Sequence, residues 1–481
     1  MSAKDPLTFW AESQGDSPAL ITSHHQYSWQ QLNQQVTNTS NLMVQQGLKP
    51  FDVLACIGKN DVELLIVYLA AIRLGVIPAM VAPQPTVPLQ QKFQQLACHF
   101  IWLGKGAEHL DKTSFECSDY HFVSDVLPRI SSKACGAEID LDMSVVDDLE
   151  IMKDDAIVSI IFTSGSTGQP KAIAHSASNH LSSATGLLEV FSFTSTDTWQ
   201  LSLPLFHVSG LAIVWRWLAV GASLKVGDGV SLYDDLNGAT HASLVATQLQ
   251  RLLDSNQPLT LTHVLLGGSA IPLPLALQAK ERGIETWLGY GMTEAASTVT
   301  AKVVDGQSGV GNVLSHRQLK LVNQRIYIAG ETLAKGQFVK GKLQAFDNDG
   351  WFDSGDLGEW RQGELHILGR ADNQFISGGE NIHCEEIEQV LIQHQDIDLV
   401  FVVAVKDSEF GARPVALISS HQPLQPSCYQ GLLQQQLEKF KWPIDYYLLP
   451  RDLLQTNGIK VSRQRVAKWF VENQSTYQLV M

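Results

Sequence analysis

Residues 159–172 read SIIFTSGSTGQPKA, an apolar run that breaks off into a short polar loop. The run predicts a buried strand, because its side chains suit both faces of a sheet. The nine residues 163–171 hold two glycines, four hydroxyls and a lysine. Glycines let backbone N–H groups turn toward an anion, hydroxyls add donors, and the lysine adds charge. Thr163, Ser164, Gly165, Ser166, Thr167, Gly168 and Lys171 therefore read as a polyphosphate cradle. Other loops fail on spacing. A Walker A loop needs GxxxxGK[ST], whereas Gln169 and Pro170 separate Gly168 from Lys171. A nucleophile elbow needs GxSxG, which Gly165-Ser166-Thr167-Gly168 does not supply. A Ser/Gly linker would not interrupt so apolar a strand.

Similar apolar runs surround this one: VLACIG (53–58), SLVAT (243–247) and HVLLGG (263–268). Helix-like segments lie between them, which predicts parallel strands in a layered α/β architecture. From about residue 300 the texture changes. RIYIAGETL (325–333) and GELHILGR (363–370) alternate apolar and polar residues among many glycines, as short antiparallel strands do. A mixed pattern restarts at Ala371, with helices at IHCEEIEQVLIQH and CYQGLLQQQLEKF and a strand at 399–405. The expected fold class is thus α/β: a large N-terminal domain, residues 1–370, of layered α/β subdomains plus a β-rich subdomain. A small mobile α+β C-terminal domain, 371–481, follows.

The chain has 481 residues, 44% hydrophobic and 17% charged, which excludes a disordered protein. Its 34 basic and 49 acidic residues give a net charge of −15. Nucleic acid and anionic lipid both require a basic surface, so neither is an expected partner. The six cysteines form no CxxC pair and read as reduced thiols. The stretch Leu65–Ala82 is apolar but broken by Arg73, Gly75 and Pro78, so it reads as a buried helix followed by a strand. The first residues lack a signal-peptide core. A cytoplasmic protein without membrane insertion is expected; a homodimer is left open.

TSGSTGQPK resembles the signature loop of the adenylate-forming superfamily, which includes acyl-CoA synthetases, luciferases and peptide-synthetase adenylation domains. Further segments match in the family's order. LPLFHVSGL (203–211) resembles the acid-side motif, which implies His207, Ser209, Ser269 and Gly289 in the acid pocket. LLGGSAIP (265–272) resembles the adenine-pocket wall, with Gly267, Gly268 and Ser269. LGYGMTEA (288–295) implies Tyr290 and Gly291 against adenine, Thr293 at the α-phosphate and Glu294 on Mg²⁺. WFDSGDLG (351–358) implies Asp356 on the ribose diol. GRADNQFISGGENIHCEEIE (369–388) implies Arg370 at ribose or phosphate, Asp372 as hinge, and Gly378 and Gly379 beside the thiol. NGIKVSR (457–463) carries one extra residue before the lysine, yet implies Lys460 as the catalytic lysine. Cys384 stands where many relatives have proline.

The resemblance implies ATP, Mg²⁺ and CoA as cofactor and co-substrates. It implies Lys460, Thr293, Glu294 and His207 as catalytic residues in a two-step reaction, acyl adenylation and then thiol capture. Within the family, PLFHVSGLAIVWRWL and GIKVSRQ look most like the o-succinylbenzoate–CoA ligase branch of menaquinone biosynthesis. Alternatives are a CoA ligase for another aromatic or short-chain acid, and an adenylation module that loads a carrier protein in trans. A silent nucleotide-binding relative fits poorly, since Lys460, Glu294, Asp356 and Arg370 are all present. The second carboxylate of a dianionic acid needs a local donor, with His207, Ser209, Ser269 and a further Arg or Lys as candidates. Arg216, between Trp215 and Trp217, is expected on a helix surface rather than in that role.

Overall fold

A computed structural model describes residues 5–108, 110, 120–124, 155–164, 170–267, 271–307, 309–346, 349–377, 380–420, 426–450, 453 and 463–473. The fold is α/β. The chain divides into two compact units, Met1–Leu319 with Ile328–Phe352, and Lys320–Tyr327 with Asp353–Met481.

Two sheets frame the first unit. In the eight-stranded sheet, Ile157–Ser164 runs parallel to Ile77–Val81, which pairs in parallel with Val53–Ile57. In the nine-stranded sheet, His241–Leu244, His263–Leu266 and Glu285–Met292 are parallel neighbours. Apolar runs therefore form parallel strands because helices cover their faces. The SLVAT run is shorter as a strand than its composition suggests. It leaves the sheet at Leu244, and a helix begins at Ala246. The helix Ala177–Leu188 touches strands of both sheets, so helices fill the layer between them. Val62–Arg73, followed by the strand Ile77–Val81, accounts for the apolar stretch 65–82. No helix among the described residues is long and apolar enough to cross a membrane.

The second unit holds the antiparallel hairpin Phe352–Arg361/Glu364–Arg370, apart from Phe352 itself, and a three-stranded sheet of Ile397–Asp407, Gly411–Ser420 and Asp445–Leu448. The helices Cys384–Leu391 and Pro426–Gln436 contribute to one apolar cluster on that sheet. The helix Arg463–Asn473 packs through Val466 and Phe470 into another. Cys56, Cys98 and Cys384 are buried free thiols, and burial pushes all three above the ordinary thiol range.

Candidate active site

In the first unit, Ile157–Ser164 and Pro170–Ser176 form an antiparallel pair in which Thr163 faces Lys171. The two ends of the sequence motif thus meet at the base of its loop. Gly165, Ser166, Thr167 and Gly168 lie outside the described residues, as does the side chain of Ser164. Gly267 follows the parallel strand His263–Leu266, whose end pairs with Leu288 just before Gly289. Carboxyl ends of parallel strands are where α/β sheets bind ligands. Gly268 and Ser269 are outside the described residues.

Gly289, Tyr290 and Gly291 lie on Glu285–Met292, opposite the strand Ser297–Val303. A Cβ at Gly291 would sit 1.9 Å from the Ser297 carbonyl oxygen, so no other residue permits this approach. Thr293 and Glu294 occupy the tight turn Thr293–Ala295, both half-buried. Three donors fix this turn by its carbonyls. His175 Nε2 donates to Thr293 O (2.6 Å), Ala334 N to Glu294 O (2.8 Å), and Ser183 Oγ to Ala296 O (2.5 Å). His175 belongs to the strand Pro170–Ser176, which carries the cradle's Lys171, so that strand is tied directly to the GYGMTEA segment.

The acid-side motif is held by a residue that sequence reasoning missed. Asn60 Nδ2 donates to Leu201 O (3.2 Å) and Leu203 O (2.7 Å), and its Oδ1 accepts from Leu205 N (2.8 Å). His207 then caps the helix Val208–Val220 without using its side chain. Its Nε2 is buried with no partner among the described residues, and burial, then the charge of Lys92, lowers its pKa. A neutral imidazole with a spare nitrogen suits contact with a substrate oxygen. Ser209 is half-buried on the same helix.

Arg216 corrects the sequence expectation. It is 1% exposed, not a surface residue. Its guanidinium lies over the Trp199 ring, 5.2 Å from the centroid, and Nη2 lies 3.4 Å from Thr298 Oγ1. Among the described residues its Nε has no partner and no ion pair is formed. Burial, then the nearby Arg317, pulls its pKa down to about 9. The physical reason was available in the sequence: VSGLAIVWRWLAV is apolar all round and presents no face for solvent. Gly289 belongs to the same place, since a Cβ there would come within 2.9 Å of the Thr298 methyl. Trp199 and Thr298 carried no motif and were legible only once the strands were assembled.

In the second unit, Arg370 Nη1 donates to Asp356 Oδ1 (3.2 Å) and to Ser354 O (3.0 Å), while Nε donates to Asp372 Oδ1 (3.0 Å). Burial opposes the Arg370 charge, but Asp372 and Asp356 outweigh it and raise its pKa. Burial likewise pushes Asp372 up, and Arg370 pulls it below the usual carboxylate range. Three residues named separately by the sequence are thus one charged cluster. Gly378, Gly379 and Lys460 lie outside the described residues.

The family profile described as AMP-binding enzyme matches residues 7–339. The chain belongs to the AMP-binding enzyme family. Among family members, a 2-succinylbenzoate–CoA ligase from Haemophilus influenzae is 40% identical, over 95% of this chain and 96% of that protein. A solved variant of E. coli MenE with bound OSB-AMS is 36% identical, with TM-score 0.83, covering 97% of this chain and 98% of that one. The Bacillus subtilis o-succinylbenzoate CoA synthetase in complex with ATP and magnesium ion is 25% identical, with TM-score 0.80, over 92% of this chain and 95% of that one. As in those AMP-binding relatives, a large N-terminal part precedes a small C-terminal one.

Proposed function

We propose that the protein is a 2-succinylbenzoate–CoA ligase of menaquinone biosynthesis. It converts 2-succinylbenzoate, ATP and CoA to 2-succinylbenzoyl-CoA, AMP and pyrophosphate. Relatives of that name, matched along nearly their full length, support this reading. One structural observation carries it: Arg216, a buried cation with no ion-pair partner among the described residues, beside Gly289 and Thr298. A buried charge is costly unless paired, so the site is completed by an anion. The acid has two carboxylates, one to react and one to bind. We assign the bound one to Arg216, with Thr298 as a further donor.

The reacting carboxylate oxygen attacks the α-phosphorus, the bond to the bridging oxygen breaks, and pyrophosphate leaves. This step needs in-line positioning and neutralisation of spreading charge. We assign the β- and γ-phosphates to residues 163–168 and Lys171, the α-phosphate to Thr293, adenine to Gly267, Gly268, Tyr290 and Gly291, and the ribose diol to Asp356 with Arg370. Lys460 is assigned to the reacting carboxylate and α-phosphate, and His207 to the acyl carbonyl. Glu294 suits Mg²⁺, which binds through one or two carboxylates together with substrate phosphates and supplies charge neutralisation when present. The CoA thiolate then displaces AMP, with Asp372 as hinge, residues 371–481 as the moving part, and Gly378 and Gly379 along the pantetheine. ATP and CoA as substrates favour the cytoplasm.

A pyrophosphate-release assay over a panel of acids tests the substrate. 2-Succinylbenzoate should give the highest kcat/KM, and AMP formation in turnover should require CoA. A faster monocarboxylic aromatic acid would displace this assignment, and transfer to a carrier protein but not CoA would displace the ligase itself. Single-turnover assays test the division of labour. Lys460→Ala should slow adenylation, and Asp372→Pro thioester formation.

A further inference from the structure

Behind the Thr293–Ala295 turn lies a buried polar chain that the proposed chemistry does not use. His175 and His180 are 0% and 1% exposed, and Ser159 between them is also fully buried. Ser159 Oγ lies 2.8 Å from His180 Nε2 and 3.5 Å from His175 Nδ1. His175 Nε2 lies 2.6 Å from Thr293 O. A carbonyl oxygen only accepts, so His175 carries its proton on Nε2 and leaves Nδ1 as an acceptor. If Ser159 donated to His180, both His175 Nδ1 and a buried His180 Nδ1–H would be orphaned. If His180 Nε2–H donates to Ser159 and Ser159 to His175, every proton in the chain has an acceptor. Only the His180 Nδ1 lone pair is then left without a partner, as observed. Burial lowers the pKa of His175 to about 4 and that of His180 as well, so both rings are neutral and their tautomers fixed.

The chain has two fixed ends. His180 stacks on Trp215 at 5.3 Å, and Trp215 Nε1 donates to Tyr68 Oη (2.9 Å) in the core. Trp215 precedes Arg216 on the acid-side helix. The other end holds the carbonyl of Thr293, the residue next to Glu294. We propose that His175 is a positioning residue for adenylation: through its Nε2–H it sets the Thr293–Glu294 turn at the distance that MgATP requires. Ser159 and His180 fix its tautomer and tie that turn to the helix that carries Arg216. The inference rests on the assignment of Thr293 and Glu294 made above.

The test compares His175→Phe, which fills the space without a donor, with His175→Gln, whose amide N–H reaches a similar position. Pyrophosphate release is titrated with MgATP and, separately, with 2-succinylbenzoate. His175→Phe should lose roughly 100-fold in kcat/KM for MgATP, the scale of a misplaced catalytic group, with the acid KM unchanged. His175→Gln should restore most of the loss. Ser159→Ala, a small change in volume, should shift the same parameter in the same direction and serves if His175→Phe does not fold. Parent-like MgATP kinetics in a folded His175→Phe overturn the proposal, as does a His175→Gln variant that is equally impaired. Glu294→Gln, assayed for Mg²⁺ dependence, separates the two readings. If it has no effect, the site assignment fails and the proposal falls with it; if it has an effect and His175→Phe has none, only the His175 proposal fails.

Discussion

Arg216 reaches Thr298 across the layers of the first unit, Nη2 to Oγ1 at 3.4 Å, with its guanidinium over the face of Trp199. A protein of net charge −15 repels a dianion at long range, so short-range contacts of this kind must decide affinity. Arg216→Leu removes a hydrogen bond to a charged group, about 1.5–3 kcal/mol. The expected result is a roughly 10- to 150-fold lower kcat/KM for 2-succinylbenzoate, with the MgATP KM near that of the parent. Thermal stability should hold or rise, because an unpaired buried charge has gone. Arg216→Lys should fall between, since it keeps the charge but loses the planar fork. An unaltered acid KM in Arg216→Leu would remove this residue from the pocket.

Gly355 sits beside the Arg370 cluster with φ +73°, and a Cβ there would lie 2.7 Å from Arg370 Nη2. Alanine costs about 1–2 kcal/mol in left-handed backbone and displaces the guanidinium from Asp356. Gly355→Ala should therefore raise the ATP KM while leaving the acid KM alone, and Asp356→Ala should do so more strongly. Nucleotide titrations of both variants check this ordering. Equal KM values for ATP in Gly355→Ala and parent would show that the cluster has no part in ribose binding.

Much of this arrangement could be read from the chain because its elements announce themselves locally. A strand buried on both faces is a short apolar run, so 53–57, 157–164 and 263–266 were visible. Tyr290, Thr293, Glu294 and Asp356 were visible as motifs. Arg216 was misplaced because one charge in a helix suggests a wet face, although the flanking tryptophans are both fully buried. His175, Asn60 and Thr298 escaped for a different reason. Each acts by a contact with a residue 82 or more positions away, and such contacts exist only after the sheets assemble.

Arg463 predicts an asymmetric double-mutant cycle. It donates to Glu388 from both terminal nitrogens and to Val402 O (3.0 Å), and Val402 N donates back to Glu388 Oε1 (2.6 Å). Burial raises the Glu388 pKa, with Arg463 opposing. Arg463→Leu should destabilise the second unit by about 3–5 kcal/mol, since a buried carboxylate is left alone. Replacing both residues by leucine should recover most of that loss. Calorimetry of the second unit's transition measures both. The helix Arg463–Asn473 begins three residues after Lys460, so Arg463→Leu should also slow adenylation. Additive losses in the double variant would mean that the two side chains do not depend on each other.

The buried histidines set how the protein responds to acid. His175 moves from 6.5 in the unfolded chain to about 4 in the fold, because burial disfavours the charged ring. A lowered histidine pKa means that the unfolded chain binds the proton first. Stability is then undiminished above about pH 6.5 and falls as pH drops toward 4. His175 alone accounts for roughly 3 kcal/mol across that window, at ~1.36 kcal/mol per pH unit. His180 is shifted in the same direction, by burial and then by His175. His180→Phe keeps a ring against Trp215 and removes one of these proton sites. Its unfolding free energy, from urea titrations between pH 7.5 and 5, should decline less steeply with acidity than the parent's, even if it starts lower. Parallel declines would mean that His180 takes up its proton in the folded state, which a fully dry ring cannot do.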